Sequence, residues 1–180
     1  MNDPVILWLG AIGLGALFVA SAVHKLRDPR QFAESIAGYD LVPRGLTPVL
    51  APVIAFAELC AGLCALITPL AQTPGRTGII ACAAILLLYA GAIAINIARG
   101  NTAIDCGCFG FGARGPGLRR GMIVRNVALA ALAMPALLPP ASRGLVWLDA
   151  LTLVGGLAVL ALIHAGGEIA LNLPTKESAA

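Results

Sequence analysis

The sequence predicts an all-α integral membrane protein, a polytopic bundle of four to five transmembrane helices forming a single membrane domain over residues 1–180. Its 180 residues are 59% hydrophobic and only 12% charged, whereas soluble domains carry about 25% charged residues. The apolar residues also form long uninterrupted runs, each near the roughly 20 residues that a spanning helix needs. These runs lack the alternation of barrel strands. Helices are therefore expected, because backbone polar groups in lipid must be satisfied within each segment.

Five apolar runs are expected to cross the bilayer. The first run, 5–23, ends at the polar sequence HKLRDPR; a cleaved signal peptide is disfavoured because no basic residue precedes a run that exceeds the usual h-region of about 7–15 residues. Pro48 and Pro52 lie in the first turns of the second run, where proline is best tolerated. The fourth run is short and carries Arg125 and Asn126 near its start, which leaves four spans as an alternative. The expected spans are 5–23, 46–70, 78–97, 122–139 and 145–165.

The charge distribution predicts the orientation of these spans. The two long connections are 24–45 and 98–121, and residues 166–180 are expected to form a polar tail on the same side. Eight basic residues of the two connections compare with two on the opposite side, so the positive-inside rule predicts that the long connections face the cytoplasm, with the N-terminus outside and the C-terminus inside. The eight are Lys25, Arg27, Arg30, Arg44, Arg99, Arg114, Arg119 and Arg120, and the two are Arg76 and Arg143.

The second long connection contains AIDCGCFGFGARG, in which one glycine separates Cys106 from Cys108. The reactive form of a cysteine is the thiolate, which basic neighbours such as Arg99 favour and which Asp105 opposes. A disulfide across a single residue closes a small strained ring, and strained disulfides are the labile, exchanging ones. We therefore expect thiol exchange. Two alternatives stay open: a site for a soft metal such as Cu(I), although four-coordinate zinc needs more ligands than this loop offers, and an unreactive pair.

Glu58 is the second candidate, because it lies about twelve residues into the second run, near the bilayer centre at ~1.5 Å per residue. An ionisable group there is a functional candidate; a protonated carboxyl bonded to a neighbouring helix is the alternative. We expect it to face the bundle interior near Lys25 or Asn96. Cys60 and Cys64, spaced i and i+4, share a helix face and are either packing residues or an electron relay.

Arg125 and Asn126 lie about one turn into the fourth run, on the side of the cysteine-containing loop. They are candidates to hold that loop by hydrogen bonds. A snorkelling arginine is the alternative interpretation.

Several of these segments resemble a known family. SAVHKLRDPRQFAESIAGYDLVP and AELCAGLCAL are similar to the first loop and the E-L-x-x-G motif of the DoxX-like membrane proteins. More narrowly, INIARGNTAIDCGCFG followed by RNVALAALA resembles the MauE family of methylamine utilization proteins. The resemblance covers about residues 14 to 133, and the joint occurrence of its motifs is specific. Besides Glu58, the matching positions include Lys25, Asp28, Pro29, Tyr39, Asn96, Arg99, Gly100, Asp105, Cys106, Gly107, Cys108, Gly110, Arg125 and Asn126.

The resemblance implies an accessory protein of the cell inner membrane that assists maturation of an exported, disulfide-rich client. The small subunit of methylamine dehydrogenase is the client that the family suggests. The sequence indicates no certain cofactor, and a quinone is a candidate. The expected partners are this client and the lipid bilayer. Nucleic acid is not expected, because no aromatic-basic stripe accompanies the basic residues.

The sequence leaves the reaction open. A thiol–disulfide oxidoreductase acting at Cys106 and Cys108 is the leading hypothesis. A transporter or binder of a soft metal or small sulfur compound, and a structural partner in a membrane redox complex, are the alternatives. Transport ranks lower because the centres of the runs offer few polar groups apart from Glu58.

Overall fold

The computed structural model describes residues 3–70, 76–102, 104, 117–139, 141 and 143–172. The described part of the chain is helical and contains no β-strand. Its α-helices are α1 (Pro4–Arg27), α2 (Pro29–Gly38), α3 (Thr47–Ile67), α4 (Thr77–Ala98), α5 (Arg120–Ala133) and α6 (Trp147–Asn172). Short 3₁₀ turns, Arg44–Leu46 and Met134–Leu137, precede α3 and follow α5.

Five helical stretches are long and apolar enough to cross a membrane, which confirms the predicted polytopic helical bundle. They are Pro4–Arg27, Arg44–Ile67, Thr77–Ala98, Arg120–Leu137 and Trp147–Ala170. The remaining helix, α2, has ten residues and lies in the first long connection. A polar tail was expected from residue 166, but α6 continues through Asn172.

Local sequence explains where the first two helices begin and end. Asp3 caps α1 by accepting a hydrogen bond from the backbone N–H of Val5 at 3.0 Å, and Pro4 occupies the first turn, where its missing N–H costs nothing. Asp28 repeats this arrangement for α2: its side chain accepts from the N–H of Gln31 at 3.0 Å, and Pro29 follows it. Because proline disfavours helical geometry in the residue before it, α1 ends at this point.

Small residues allow α1, α3 and α4 to pack closely. A Cβ added to Gly15 would lie 2.9 Å from the carbonyl oxygen of Gly62, and one added to Gly78 would lie 2.2 Å from the backbone nitrogen of Ala65. Helices in lipid associate through such close backbone approach. The core between them also receives residues from α5 and from the turn after it: Ala11, Leu14, Phe18, Ala61, Ala65, Ile79, Cys82, Ala83, Leu86, Ala130, Ala133 and Ala136.

The bundle has two different ends. We call the end that carries α2, the C-terminal end of α4, the start of α5 and the C-terminal end of α6 the loop side. At the opposite end, Arg76 donates to the carbonyl of Leu137 and ties the start of α4 to the end of the α5 stretch.

An ionic cluster at the end opposite the loop side fastens α6 to α1. Arg143 donates to Asp3 at 2.7 Å and to Asp149 at 2.8 Å. The guanidinium lowers the pKa of Asp3 below its ordinary value, and hydrogen bonds to the two carboxylates, Asp149 first, raise the pKa of Arg143. Elsewhere α6 is mostly exposed, with Gly156 packed against Leu9. Helix α6 therefore borders the bundle rather than filling it.

Candidate functional site

A buried ion pair joins α1 to α3 in the loop-side half of the bundle. Lys25 Nζ lies 2.5 Å from Glu58 Oε1, and the two residues are 3% and 1% exposed. Helical side chains lean toward the N-terminus of their helix, so Lys25, near the end of α1, extends back toward the bundle centre. Glu58 thus faces the interior with a basic partner from the first helix, as the sequence predicted.

Two hydroxyl groups complete the hydrogen bonding of this pair. Tyr89 on α4 donates to Glu58 Oε1 and accepts from Lys25 Nζ at 3.2 Å. Ser21, one turn before Lys25 on α1, donates to Glu58 Oε2 at 3.3 Å. The carboxylate therefore receives bonds from both neighbouring helices. Such compensation is what makes a buried charge pair tolerable.

Aromatic faces cover the remaining surface of the Lys25 ammonium. The ring centroids of Phe32 and Tyr89 each lie 4.8 Å from Nζ, within the range of a cation–π interaction. Phe32 comes from α2 and is 8% exposed, while its neighbour Gln31 faces outward. The short helix of the first connection thus places an aromatic ring over the buried ion pair.

A second polar cluster joins α5 to α6. Arg125 forms an ion pair with Glu168, and its Nε and Nη2 both donate to Asn126 Oδ1 at 3.2 Å. Asn126 is 2% exposed, and its Nδ2 has no hydrogen-bond partner in the described part of the chain. Glu168, which the sequence analysis assigned to a polar tail, is instead the partner of an intramembrane arginine.

A cavity of about 30 Å³ lies between the two clusters. Six polar or charged residues and four apolar ones line it, with contributions from α1, α3, α4, α5 and α6. The lining residues are Leu17, Phe18, Ser21, Glu58, Leu86, Tyr89, Arg125, Asn126, Leu129 and His164. The sequence analysis ranked transport lower because the run centres offer few polar groups apart from Glu58. The structure brings polar side chains from five helices to this one cavity.

The ends of the cysteine-containing connection are held at one place on the loop side. The N–H of Leu118 donates to the carbonyl of Thr102 at 2.7 Å, and Ile104 is 8% exposed in a cluster with Leu118 and Met122. We call this arrangement the loop base.

Polar contacts tie the loop base to α2. Asn101 Nδ2 donates to the carbonyl of Gly38 at 3.2 Å and to Asn96 Oδ1 at 3.1 Å. Arg99 donates to the carbonyl of Asp40 at 3.4 Å. Asn96 was proposed from the sequence as a partner of Glu58. In the structure it instead accepts a hydrogen bond from Asn101 at the loop base.

The remaining predicted site residues fall in two groups. Asp105, Cys106, Gly107 and Cys108 lie outside the described residues. Cys60 and Cys64 are free thiols exposed on the surface of α3. Among the residues that the structure describes, no three His, Cys, Asp or Glu side chains are grouped to hold a metal ion.

The sequence analysis missed Tyr89, Ser21 and Phe32. A single tyrosine or serine in an apolar run gives no signal of its partner on another helix. The i, i+4 spacing of Ser21 and Lys25 was the available clue, because it places both on one face of α1.

The fold and the site together define a polytopic helical membrane protein with two paired charges buried between its helices. Comparison with known proteins identifies it further. The family described as Methylamine utilisation protein MauE matches residues 3–139. The chain belongs to this family, and membership implies involvement in methylamine utilisation.

Individual relatives agree with this assignment. The chain is 38% identical over 132 residues to Methylamine utilization protein MauE of Paracoccus denitrificans, covering 73% of this chain and 68% of the relative. It is 30% identical to the protein of the same name from Methylophilus methylotrophus, covering 97% and 90%. The protein of that name from Methylorubrum extorquens is 35% identical, with 78% and 74% covered. No solved structure matches the chain.

Proposed function

We propose that this MauE family member is an accessory protein that assists maturation of an exported, disulfide-rich client by thiol–disulfide exchange at Cys106 and Cys108. The client is the small subunit of methylamine dehydrogenase or a similar protein. The observation that carries the proposal is the pair of thiols one residue apart, in a chain whose family is defined by methylamine utilisation.

The loop base supports the proposal. Thr102 and Leu118, which flank the thiol segment, are joined by a 2.7 Å hydrogen bond, and Ile104, two residues before Cys106, is buried against the bundle. Residues held by a rigid scaffold on both sides are typical of functional loops. The segment between them therefore starts and ends at a fixed place on the loop side.

The proposed exchange balances as a two-electron transfer. A client thiolate attacks one sulfur of the Cys106–Cys108 disulfide, which breaks that disulfide and forms a mixed disulfide. A second client thiolate then attacks the client sulfur of the mixed disulfide. The client gains a disulfide, and Cys106 and Cys108 are left as a dithiol. A membrane quinone is the oxidant we propose to restore the disulfide, taking up two electrons and two protons.

Serine variants test this role. Replacing either cysteine by serine, as Cys106→Ser or Cys108→Ser, should abolish client maturation, because neither variant can form the disulfide that the client attacks. The thiol left in each variant can still attack a disulfide of the client, and without a neighbouring thiol to release it the covalent complex should be visible on a non-reducing gel. Cys82→Ala, at a buried core thiol of α4 that has no part in the proposed exchange, is the control and should mature the client normally. Normal maturation by both loop variants, with nothing trapped, would refute the proposal. Stoichiometric copper in the wild-type protein, lost in either loop variant, would favour a metal site.

The orientation of the loop side decides whether this exchange is direct. The basic residues of its two connections predict that the loop side faces the cytoplasm, in the inner membrane. Direct exchange with an exported client needs the opposite orientation, and otherwise electrons must cross the membrane, with Cys60 and Cys64 as the candidate relay. Cysteines introduced by Gly45→Cys and Gly144→Cys test this, since a side chain at either glycine meets no atom within 4 Å and the two glycines lie at opposite ends of the bundle. In a background without the native cysteines, a membrane-impermeant maleimide should label Gly144→Cys in spheroplasts and spare Gly45→Cys. The reverse pattern would place the thiol segment on the client's side and remove any need for an electron path through Cys60 and Cys64.

A further inference from the structure

The cavity between the two ion pairs contains an unmet hydrogen-bond donor. Asn126 is 2% exposed and lines the cavity, and its Nδ2 has no partner in the described part of the chain. Its Oδ1 already accepts from Arg125. Because a buried polar group without a partner is costly, the site favours a molecule that can accept a hydrogen bond from Asn126.

The Lys25–Glu58 pair offers the cavity a hydrogen-bond acceptor. Glu58 lines the cavity. Its Oε2 accepts a long hydrogen bond, 3.3 Å, from Ser21. A carboxylate oxygen can accept more than one hydrogen bond. A molecule in the cavity is therefore best held if it accepts from Asn126 and donates to Glu58.

Size and the apolar wall narrow the class of molecule. The cavity measures about 30 Å³, which exceeds the roughly 10–15 Å³ that one water molecule needs, so a molecule larger than a single water fits. Leu17, Phe18, Leu86 and Leu129 form the apolar part of the lining. Water can meet the polar groups but gains nothing from that wall, whereas a methyl group buries against it.

We propose that this cavity is a binding site for a small primary amine in its neutral form. The amine nitrogen accepts from Asn126 Nδ2 and donates to Glu58, and its carbon packs against the apolar wall. The neutral form is required because the two cations and two carboxylates already pair, as Lys25 with Glu58 and Arg125 with Glu168. An added ammonium would be an uncompensated buried charge. The site does not involve the thiol segment, so this proposal stands apart from the exchange proposed above.

Binding of radiolabelled methylamine, the smallest alkylamine, to the purified full-length protein in nanodiscs tests the proposal, with empty nanodiscs as the blank. Saturable binding of one amine per chain is expected. Because only the free base binds, the apparent Kd for total amine should fall by about tenfold per pH unit while the ammonium form predominates. Butylamine, which carries three more carbons than methylamine, should compete more weakly because the cavity is small. Absence of saturable binding at every pH would refute the proposal and leave water as the occupant of the cavity, and equal competition by butylamine would show that the amine binds outside this small cavity.

A matched pair of variants locates the site. Leu129→Phe fills the cavity from α5, whereas Leu132→Phe makes the same change at a residue that is 63% exposed. Leu129→Phe and Asn126→Leu should each weaken binding by about tenfold or more, the equivalent of one lost hydrogen bond or contact. Leu132→Phe should bind as the wild type does, and equal loss in the two phenylalanine variants would overturn the assignment. Cys106→Ser should also retain amine binding, so that failure of either proposal can be told from failure of the other.

Discussion

Replacing Glu58 by glutamine tests whether the buried ion pair holds α1 to α3. The change keeps one carbonyl oxygen that can accept from the Tyr89 hydroxyl and turns the oxygen that accepts from Ser21 into an amide NH2 donor. It leaves the ammonium of Lys25, 3% exposed, without its counter-charge. With the glutamine carbonyl in place of Oε1, that ammonium keeps this uncharged acceptor, the Tyr89 hydroxyl at 3.2 Å and the rings of Phe32 and Tyr89 at 4.8 Å. The packing around the site is otherwise unchanged, since glutamine and glutamate have nearly the same shape.

The expected cost follows from these contacts. Removing one partner of a buried ion pair typically costs about 3–5 kcal/mol, while cation–π contacts, worth about 0.5–2 kcal/mol each, remain. We therefore expect Glu58→Gln to lower the free energy of unfolding by about 3 kcal/mol. Lys25→Met in the same background removes the stranded charge. The double variant should then recover most of the loss, with a coupling energy of about 2 kcal/mol or more.

The double-mutant cycle is measured by reversible unfolding in mixed micelles titrated with sodium dodecyl sulfate. The fluorescence of the two tryptophans of the sequence, Trp8 and Trp147, reports the transition. Ser21→Ala is the control, because it removes a single 3.3 Å hydrogen bond and should cost about 1 kcal/mol or less. Strictly additive single variants, with a coupling energy below about 0.5 kcal/mol, would show that the pair does not hold the helices together.

Three further changes test other parts of the structure. Tyr89→Phe keeps the ring over Lys25 but removes the hydroxyl that donates to the carboxylate, so unfolding in the same assay should become easier by about 1–2 kcal/mol; an unchanged stability would contradict that contact. Gly78→Ala places a Cβ 2.2 Å from backbone and should cost about 1–3 kcal/mol, whereas Gly91→Ala, which meets nothing within 4 Å, should be neutral or stabilising by up to about 1 kcal/mol. Arg143→Gln should raise the lowered pKa of Asp3 toward its ordinary value in a carboxyl NMR titration. Because a lowered carboxyl pKa stabilises the fold at pH values above it, the wild type should lose this contribution as pH falls through the folded-state value. The variant should show a smaller loss, since the N–H of Val5 still donates to Asp3.

The sequence was sufficient to predict the spanning helices. It also predicted that Glu58 faces the interior and has a polar partner. Long apolar runs determine helices in lipid with little help from tertiary structure, and a carboxyl near the bilayer centre has few tolerable environments besides a polar partner. Helix ends were less predictable. Helix α6 runs through Asn172, beyond the expected residue 165, and Glu168 within it pairs with Arg125, a contact between residues far apart in the chain.

The choice between Lys25 and Asn96 as the partner of Glu58 shows what the sequence lacked. Both are polar residues near the loop-side ends of neighbouring helices, so composition does not separate them. Tyr89 and Asn96 are seven residues apart on α4, which at ~1.5 Å per residue puts Asn96 roughly 10 Å nearer the loop side. At that height it meets Asn101 rather than the carboxylate. The height of each residue along the bundle axis therefore decides whether it meets Glu58. This height depends on how the helices are shifted relative to one another, which the sequence does not show.

The structure gives physical roles to several residues of the family motifs in the two long connections. Asp28 and Pro29 start α2, the helix whose Phe32 covers the ion pair and whose far end accepts a hydrogen bond from Asn101. Gly100 has φ +74, a conformation that glycine adopts at little cost, and it turns the chain from α4 into the loop base. The first connection therefore contacts both the buried charges and the base of the thiol segment. A change in α2 should consequently affect both regions, which explains in physical terms why a motif in the first loop accompanies the cysteine motif nearly seventy residues later in the chain.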